Sequence, residues 1–226
     1  MSSIQSARTG GESLESVDPK RRRRDAEVLK AATGVFYRRG YANATVQDVA
    51  DSLGMLKGSL YYYIKSKEEL LFRIATNVHD DVDVLMAEVM QEEGLSALER
   101  IRDFVRRQVA YNVDNLEEIS VYHHDTHHLG KALRTDIGER WQRHQAFLIA
   151  LIQEAQADGD VDPEVNAELL SHCVFAPVIW MYRWYGRSSA VSVTELQDAC
   201  VSFVTSGIEG RPPEGSGLGG EASQER

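Results

Sequence analysis

Cysteine is scarce in this chain of 226 residues: Cys173 and Cys200 are the two it has. Both sit in apolar stretches and read as buried free thiols, so no disulfide framework is expected. Long hydrophobic runs are missing too. None approaches the roughly 20 apolar residues that span a bilayer, and none follows a charged start as in a signal peptide. The expectation is a cytoplasmic protein with no membrane partner. Strand-like alternation is almost absent between the tails. No nucleophile elbow, phosphate loop or paired-cysteine metal motif occurs, which argues against an enzyme and against a bound cofactor or metal.

What the chain has is charge, unevenly spread. Its formal net charge is -10, yet residues 1–73 hold 13 Lys/Arg against 9 Asp/Glu, a net of +4. The remaining residues carry 12 against 26, a net of -14. A basic end on an acidic body points to a polyanion partner for that end alone. The run "KRRRR" (20–24) belongs to it, although such a run by itself is more often a solvated face.

Nearly everything between the tails reads at helical period. Residues 1–17 and 209–226 have the composition of disordered tails. Asp18 and Pro19 open a first helix with Val28, Leu29, Ala32, Val35 and Phe36 on one stripe, and Gly40 ends it. Thr45 with Asp48 forms a capping-box pattern ahead of Val46, Val49, Ala50 and Leu53, and Gly54 closes that short helix. "KGSLYYY" (57–63) supplies a third helix. Ser66 caps a fourth that runs to about residue 92. Further helices are expected at about 96–114, 117–128, 132–157, 163–185 and 193–208, the last two opened by Asp162-Pro163 and "SVTE" (192–195). The segment 169–185 is apolar nearly all round, so it needs cover on more than one side, and a second copy is a natural cover. Pro177 should kink or split it.

The stretch "KGSLYYYIKSK" (57–67) sets three tyrosines among lysines. Two short helices joined by "LGM" (53–55) make a helix-turn-helix whose second member can enter a major groove. Successive helical residues point about 100° apart, so Tyr61, Tyr62 and Tyr63 cannot all be core. An exposed phenol can lie against a sugar and donate to phosphate. An aromatic patch alone would be ordinary packing. Beside the glycine turn and the lysines it reads as an edge that faces a duplex.

Residues 35–71, "VFYRRGYANATVQDVADSLGMLKGSLYYYIKSKEELL", resemble the DNA-binding domain of TetR-family transcriptional regulators. The likeness covers about 50 residues. It departs at Ala44, where a second threonine is common, and at Tyr63-Ile64 in place of His-Phe. The resemblance implies an all-α fold of about nine helices. Residues 18–65 would be a three-helix DNA-binding head, and 66–208 a larger ligand-binding and dimerisation domain. It implies DNA contacts from Thr45, Gln47, Lys57, Gly58, Ser59, Tyr61, Tyr62, Tyr63 and Lys67, with Tyr61 the one most liable to burial. It also implies a repressor that binds a pseudo-palindromic double-stranded operator as a homodimer, paired through the helices near 163–185 and 193–208. A small organic effector would release it.

Tyr111, Tyr122, Trp141, His144, Phe147, Leu148, Phe175, Ile179 and Trp180 are the candidate lining of an effector cavity, although any one of them alone is more often plain core. "MYRWY" (181–185) is similar to regulators of steroid or fatty-acid breakdown whose effectors are acyl-CoA thioesters. The cluster "HHDTHH" (123–128) offers His123/His127 and His124/His128 at a spacing that suits a shared metal on one helical face. A rival reading follows: a metal-dependent helical phosphohydrolase using His79, His124 and Asp125. That rival leaves residues 35–71 unexplained, and histidines that rim a cavity or lie on the surface are the commoner case.

Overall fold

A computed structural model describes residues 19–186 and 190–209. The tail expected at 1–17, the Asp18 cap and, past Glu209, the C-terminal tail lie outside the described residues. Among those described there are nine α-helices and no strand: α1 Pro19–Arg39, α2 Val46–Ser52, α3 Lys57–Leu60, α4 Lys67–Gln91, α5 Ala97–Asp114, α6 Leu116–Asp125, α7 Lys131–Asp158, α8 Ala167–Trp180 and α9 Val193–Ile208.

The helix starts follow local chemistry. Thr45, Ser96 and Ser192 each accept from the backbone N–H three residues on, and the acid at that position accepts the cap's own N–H in return. These reciprocal bonds satisfy donors that a helix start would otherwise leave open. Gly40 and Gly54 take left-handed φ values of 73° and 62°, which let the chain turn sharply after α1 and between α2 and α3.

Three boundaries differ from the sequence reading. Helix α3 ends at Leu60, because Tyr62 and Tyr63 bond back to Ser59 and Leu60 as i to i−3 turns. Helix α6 stops at Asp125, and Thr126–His128 tighten into a 3₁₀ turn. Helix α8 starts at Ala167 rather than at Pro163. Asn166 caps the N–H groups of Glu168 and Leu169, while Asp162 is used up in a local turn with Glu164. Pro177 does not split α8, which ends three residues later in a second 3₁₀ turn at Met181–Arg183. Lacking an N–H, Pro177 forfeits one i to i−4 bond, to the Cys173 carbonyl, and the helix carries on to Trp180.

Two apolar cores result. The larger joins α5, α7, α8 and α9 with the second half of α4. The smaller is centred on Phe36, Leu60, Leu70, Leu71 and Ile74 in the head. It is closed from the body side by Val121, Leu129 and Ile137. Of the two cysteines, Cys200 is buried, but Cys173 is exposed, because its face of α8 has no cover within one chain.

Candidate nucleic-acid interface and effector cavity

The helix-turn-helix presents an edge rich in exposed groups. Lys57 and Gly58 at the start of α3 are exposed, as are Thr45, Gln47, Tyr61 and Tyr62, with Tyr62 at 82% of its full accessibility. Ser59 is half-buried. Of the three tyrosines, Tyr63 is the one that turns inward to pack on the head core, whereas Tyr61 is half exposed. A Cβ added at Gly58 would meet nothing within 4 Å, so packing within the chain does not demand glycine there.

Some of these side chains are already engaged. Thr45 Oγ1 donates to Asp48 Oδ2 at 2.7 Å, and Gln47 Nε2 donates to Asp51 Oδ1 at 2.6 Å. The Thr45 bonds and the nearby Arg39 hold the Asp48 carboxyl below its ordinary pKa. Lys67 is turned inward: its ammonium donates to the carbonyls of Tyr41 and Ala44 at 2.8 and 2.9 Å and lies over the Tyr41 ring. Two of its three donors therefore fasten the α1–α2 corner to the start of α4, and one is left.

Sequence reasoning passed over Leu56. It is 80% exposed at the N-cap of α3, where it makes no side-chain capping bond. The available signal was a large aliphatic residue inside the turn, off both helical stripes.

In the body, α4, α5, α6, α7 and α8 enclose a small cavity with about 40 Å³ of free room. Tyr122, Trp141, His144, Phe175 and Ile179 line it, and so do His79, Gln108, Asn112 and His123, which were not among the candidates. Tyr111, Phe147 and Leu148 pack in the core away from it, and the Tyr111 hydroxyl donates to Asp81 at 3.1 Å. Trp180 lies on the outer surface. The cavity's polar groups are held firmly. Tyr122 Oη and His79 Nε2 are 3.0 Å apart, and His144 Nε2 meets Asp83 Oδ1 at 2.7 Å. Burial lowers the pKa of His79 to about 3, with His144 and Arg140 adding to the effect, and lowers that of His123 to about 4.

Among the described residues the histidine cluster does not share one helical face. Because α6 ends at Asp125, the i,i+4 geometry is broken. His123 points to the cavity and stacks on Tyr182, His124 Nε2 faces Arg183 at 2.9 Å, and His128 lies against Tyr41. Among the described residues no group of three or more His, Cys, Asp or Glu is placed to hold a metal ion, and His79, His124 and Asp125 form no such set.

A helix-turn-helix head joined to a larger helical body defines a type of DNA-binding regulator. The particular family follows from sequence. Residues 28–74 match "Bacterial regulatory proteins, tetR family", and residues 94–208 match "Tetracyclin repressor-like, C-terminal domain". The chain belongs to the TetR family of transcriptional regulators, which are not enzymes. Among curated proteins it is 27% identical to the HTH-type transcriptional repressor KstR2 of Mycolicibacterium smegmatis, across 82% of this chain and 90% of that one. Among solved structures it resembles the ketosteroid transcriptional regulator KstR2 of Mycobacterium tuberculosis, with a TM-score of 0.76, 21% identity, and coverage of 82% and 94%. It also resembles AibR in complex with isovaleryl coenzyme A and operator DNA, with a TM-score of 0.73, 24% identity, and coverage of 79% and 96%. The phosphohydrolase alternative is set aside on these grounds.

The rings of His79, buried, and His123, half-buried, make stability depend on pH. Their folded pKa values of about 3 and 4 lie below the ordinary 6.5, so the unfolded chain takes up protons that the folded one refuses. Their contribution is complete above about pH 6.5 and is lost as pH falls toward those folded values, at about 1.4 kcal/mol per unit for each ring. Urea unfolding at pH 7.5 and 5.5 should show the loss, and His79→Gln should show less of it. An unchanged pH dependence in the variant would mean that His79 titrates normally.

Proposed function

We propose that the protein is a cytoplasmic transcriptional repressor that binds a pseudo-palindromic operator as a homodimer and is released by a small acyl-CoA effector. One observation carries the reading. Val121 of α6 lies in the head core, while its neighbours Tyr122 and His123 wall the cavity. A ligand that widens the cavity cannot do so without pushing on the head.

Residues 18–65 are the DNA-binding unit in this reading, and 66–208 the ligand-binding and dimerisation unit. The start of α3 enters the major groove, with Lys57, Gly58 and Ser59 nearest the bases. Tyr61, Tyr62 and the exposed Arg21 and Arg22 reach flanking phosphates. Thr45 and Gln47 approach from α2, and Tyr63 braces the edge from behind. Lys67 acts through its remaining donor and through the free amide at the start of α4. Leu56 adds an apolar contact that suits the methyl group of thymine.

Dimerisation is supported by the outer face of α8 and α9. Leu169, Trp180 and Phe203 are each more than half exposed there, around Cys173, Ala176 and Pro177. A second copy covers this face, and a stable interface buries about 800 Å² or more per chain.

The effector class is supported by two adjoining spaces. Outside the cavity runs a groove of about 960 Å³ whose lining includes Lys30, Tyr37, Arg183 and Trp184. Tyr182 lines that groove and stacks on His123, which lines the cavity. An acyl group in the cavity, with its handle along a groove that offers Lys30 and Arg183 to its phosphates beside the acids Asp114, Glu117 and Glu118, fits this division, and the neighbouring AibR structure holds isovaleryl coenzyme A.

Three measurements test this. Replacing thymine by uracil across the half-site should weaken wild-type binding at one or more positions. Leu56→Ala should be indifferent at those positions, and a wild type equally indifferent would remove Leu56 from base reading. Trp180→Asp combined with Phe203→Asp should give a folded monomer by light scattering; a dimer would move the interface elsewhere. Finally, an effector that cuts operator affinity a hundredfold must itself bind operator-bound protein a hundredfold more weakly, a coupling of about 2.7 kcal/mol. Calorimetry of isovaleryl-CoA and longer acyl-CoA thioesters against free and operator-bound protein reads this directly. Equal affinities across the series would sink the acyl-CoA reading.

A further inference from the structure

The cavity holds two polar atoms without a partner, and their identities can be fixed. Asn112 is 3% exposed, and its amide nitrogen must face Val178, whose carbonyl oxygen lies 2.9 Å away and can only accept. The Asn112 amide oxygen is thereby turned to Gln108, which meets it with a nitrogen at 2.9 Å. Gln108, 7% exposed, is left with its oxygen Oε1 free, a buried acceptor with no hydrogen-bond partner. Across the same cavity His79, 2% exposed, spends Nε2 on Tyr122 and leaves Nδ1 unpartnered. Both residues line the cavity, and much of the remaining wall is apolar, with Trp141, Phe175 and Ile179 among it.

Leaving a buried acceptor unmade costs more than a typical hydrogen bond contributes, so such a group calls for a partner. The neutral bond from Gln108 to Asn112 also locks the free oxygen in place: flipping either amide would set two donors or two acceptors face to face.

We propose that the cavity recognises an uncharged, largely hydrocarbon group bearing a hydrogen-bond donor, in the first instance a hydroxyl, which it gives to Gln108 Oε1. His79 Nδ1 is a second polar point available to the same ligand. Resting on the effector reading above, the inference narrows it: the buried end of the effector is a hydroxylated hydrocarbon rather than a saturated one or a carboxylate. A carboxylate offers acceptors only, against an acceptor, in a site with no cation among its lining residues.

The test uses the full-length dimer and two probes of nearly equal size that carry no CoA. Cyclopentanol can donate a hydrogen bond, and cyclopentanone cannot. Wild-type protein should bind the alcohol about tenfold more tightly than the ketone by ligand-detected NMR, the scale expected when a buried acceptor is left unpaired. Gln108→Met, which removes the acceptor at similar length, should abolish the preference. Equal or reversed affinities in the wild type would overturn the proposal without need of a variant, as would binding of neither probe. Retention of the preference by a folded Gln108→Met protein would overturn the assignment to Gln108. Operator release is measured separately on the same samples. Alcohol preference without DNA release would leave donor recognition standing and count against the effector reading.

Discussion

The structure turns on the sharing of α6 between two cores. Val121 is 1% exposed within the head core, and the two residues after it wall the body cavity. Close-packed interiors do not deform smoothly, so a rearrangement of Tyr122 or His123 has to be taken up by the packing around Val121. Helix α4 repeats the arrangement over a longer span. Leu70, Leu71 and Ile74 belong to the head core, while Val78, His79 and Val82 face the cavity one to two turns further on. At its start the Lys67 ammonium ties it to the α1–α2 corner. Two helices therefore link the cavity wall to the head core, and the head has no core of its own that excludes the body.

The cavity itself is small, and the polar groups set in its largely apolar wall cost stability. With about 40 Å³ of free room it holds water-sized groups only, so any larger ligand would have to separate the helices around it. Neutral buried histidines and an unpaired amide oxygen are arrangements that a core built for stability alone would avoid. Such features accumulate where binding matters, because selection tolerates local instability at functional sites. In the proposed reading the small cavity and the tied head belong to one state, and an effector would act by favouring another.

Much of this was legible in the sequence, for reasons that differ by region. Capping boxes at Thr45, Ser96 and Ser192 and the turns at Gly40 and Gly54 depend on neighbours within four residues, so local reading found the helices they bound. The exposed Tyr61 and Tyr62 follow from helical geometry, but which tyrosine turns inward depends on where α4 crosses the head, and no local signal records that. The cavity was half legible. Aromatic residues such as Trp141 and Phe175 announce themselves, whereas Gln108, Asn112 and His79 look like surface residues until α5 and α4 are seen face to face. The i,i+4 spacing in the histidine run suits a shared metal only on a continuous helix, and α6 gives way to a 3₁₀ turn after Asp125. Leu56 escaped because an apolar residue in a turn carries no periodicity.

The charge division completes the mechanical picture. In the body, Arg107 is surrounded by Glu88, Glu92 and Asp103, Arg140 is held by Asp80 and Asp136, and Arg106 pairs with Asp198. Most of these pairs are partly exposed, so each adds little to stability. Their effect is rather to use up body cations on body acids, which still leaves a surplus of negative charge there. DNA approaching that surface is repelled, and DNA approaching Lys57 and the arginines at the start of α1 is drawn in, over distances of about a Debye length. In a dimer paired through α8 and α9 the two heads are left free to face one duplex together. In that proposed arrangement the acidic body would disfavour other orientations of DNA on either head, so that net charge which discourages nucleic-acid binding elsewhere would help to orient it.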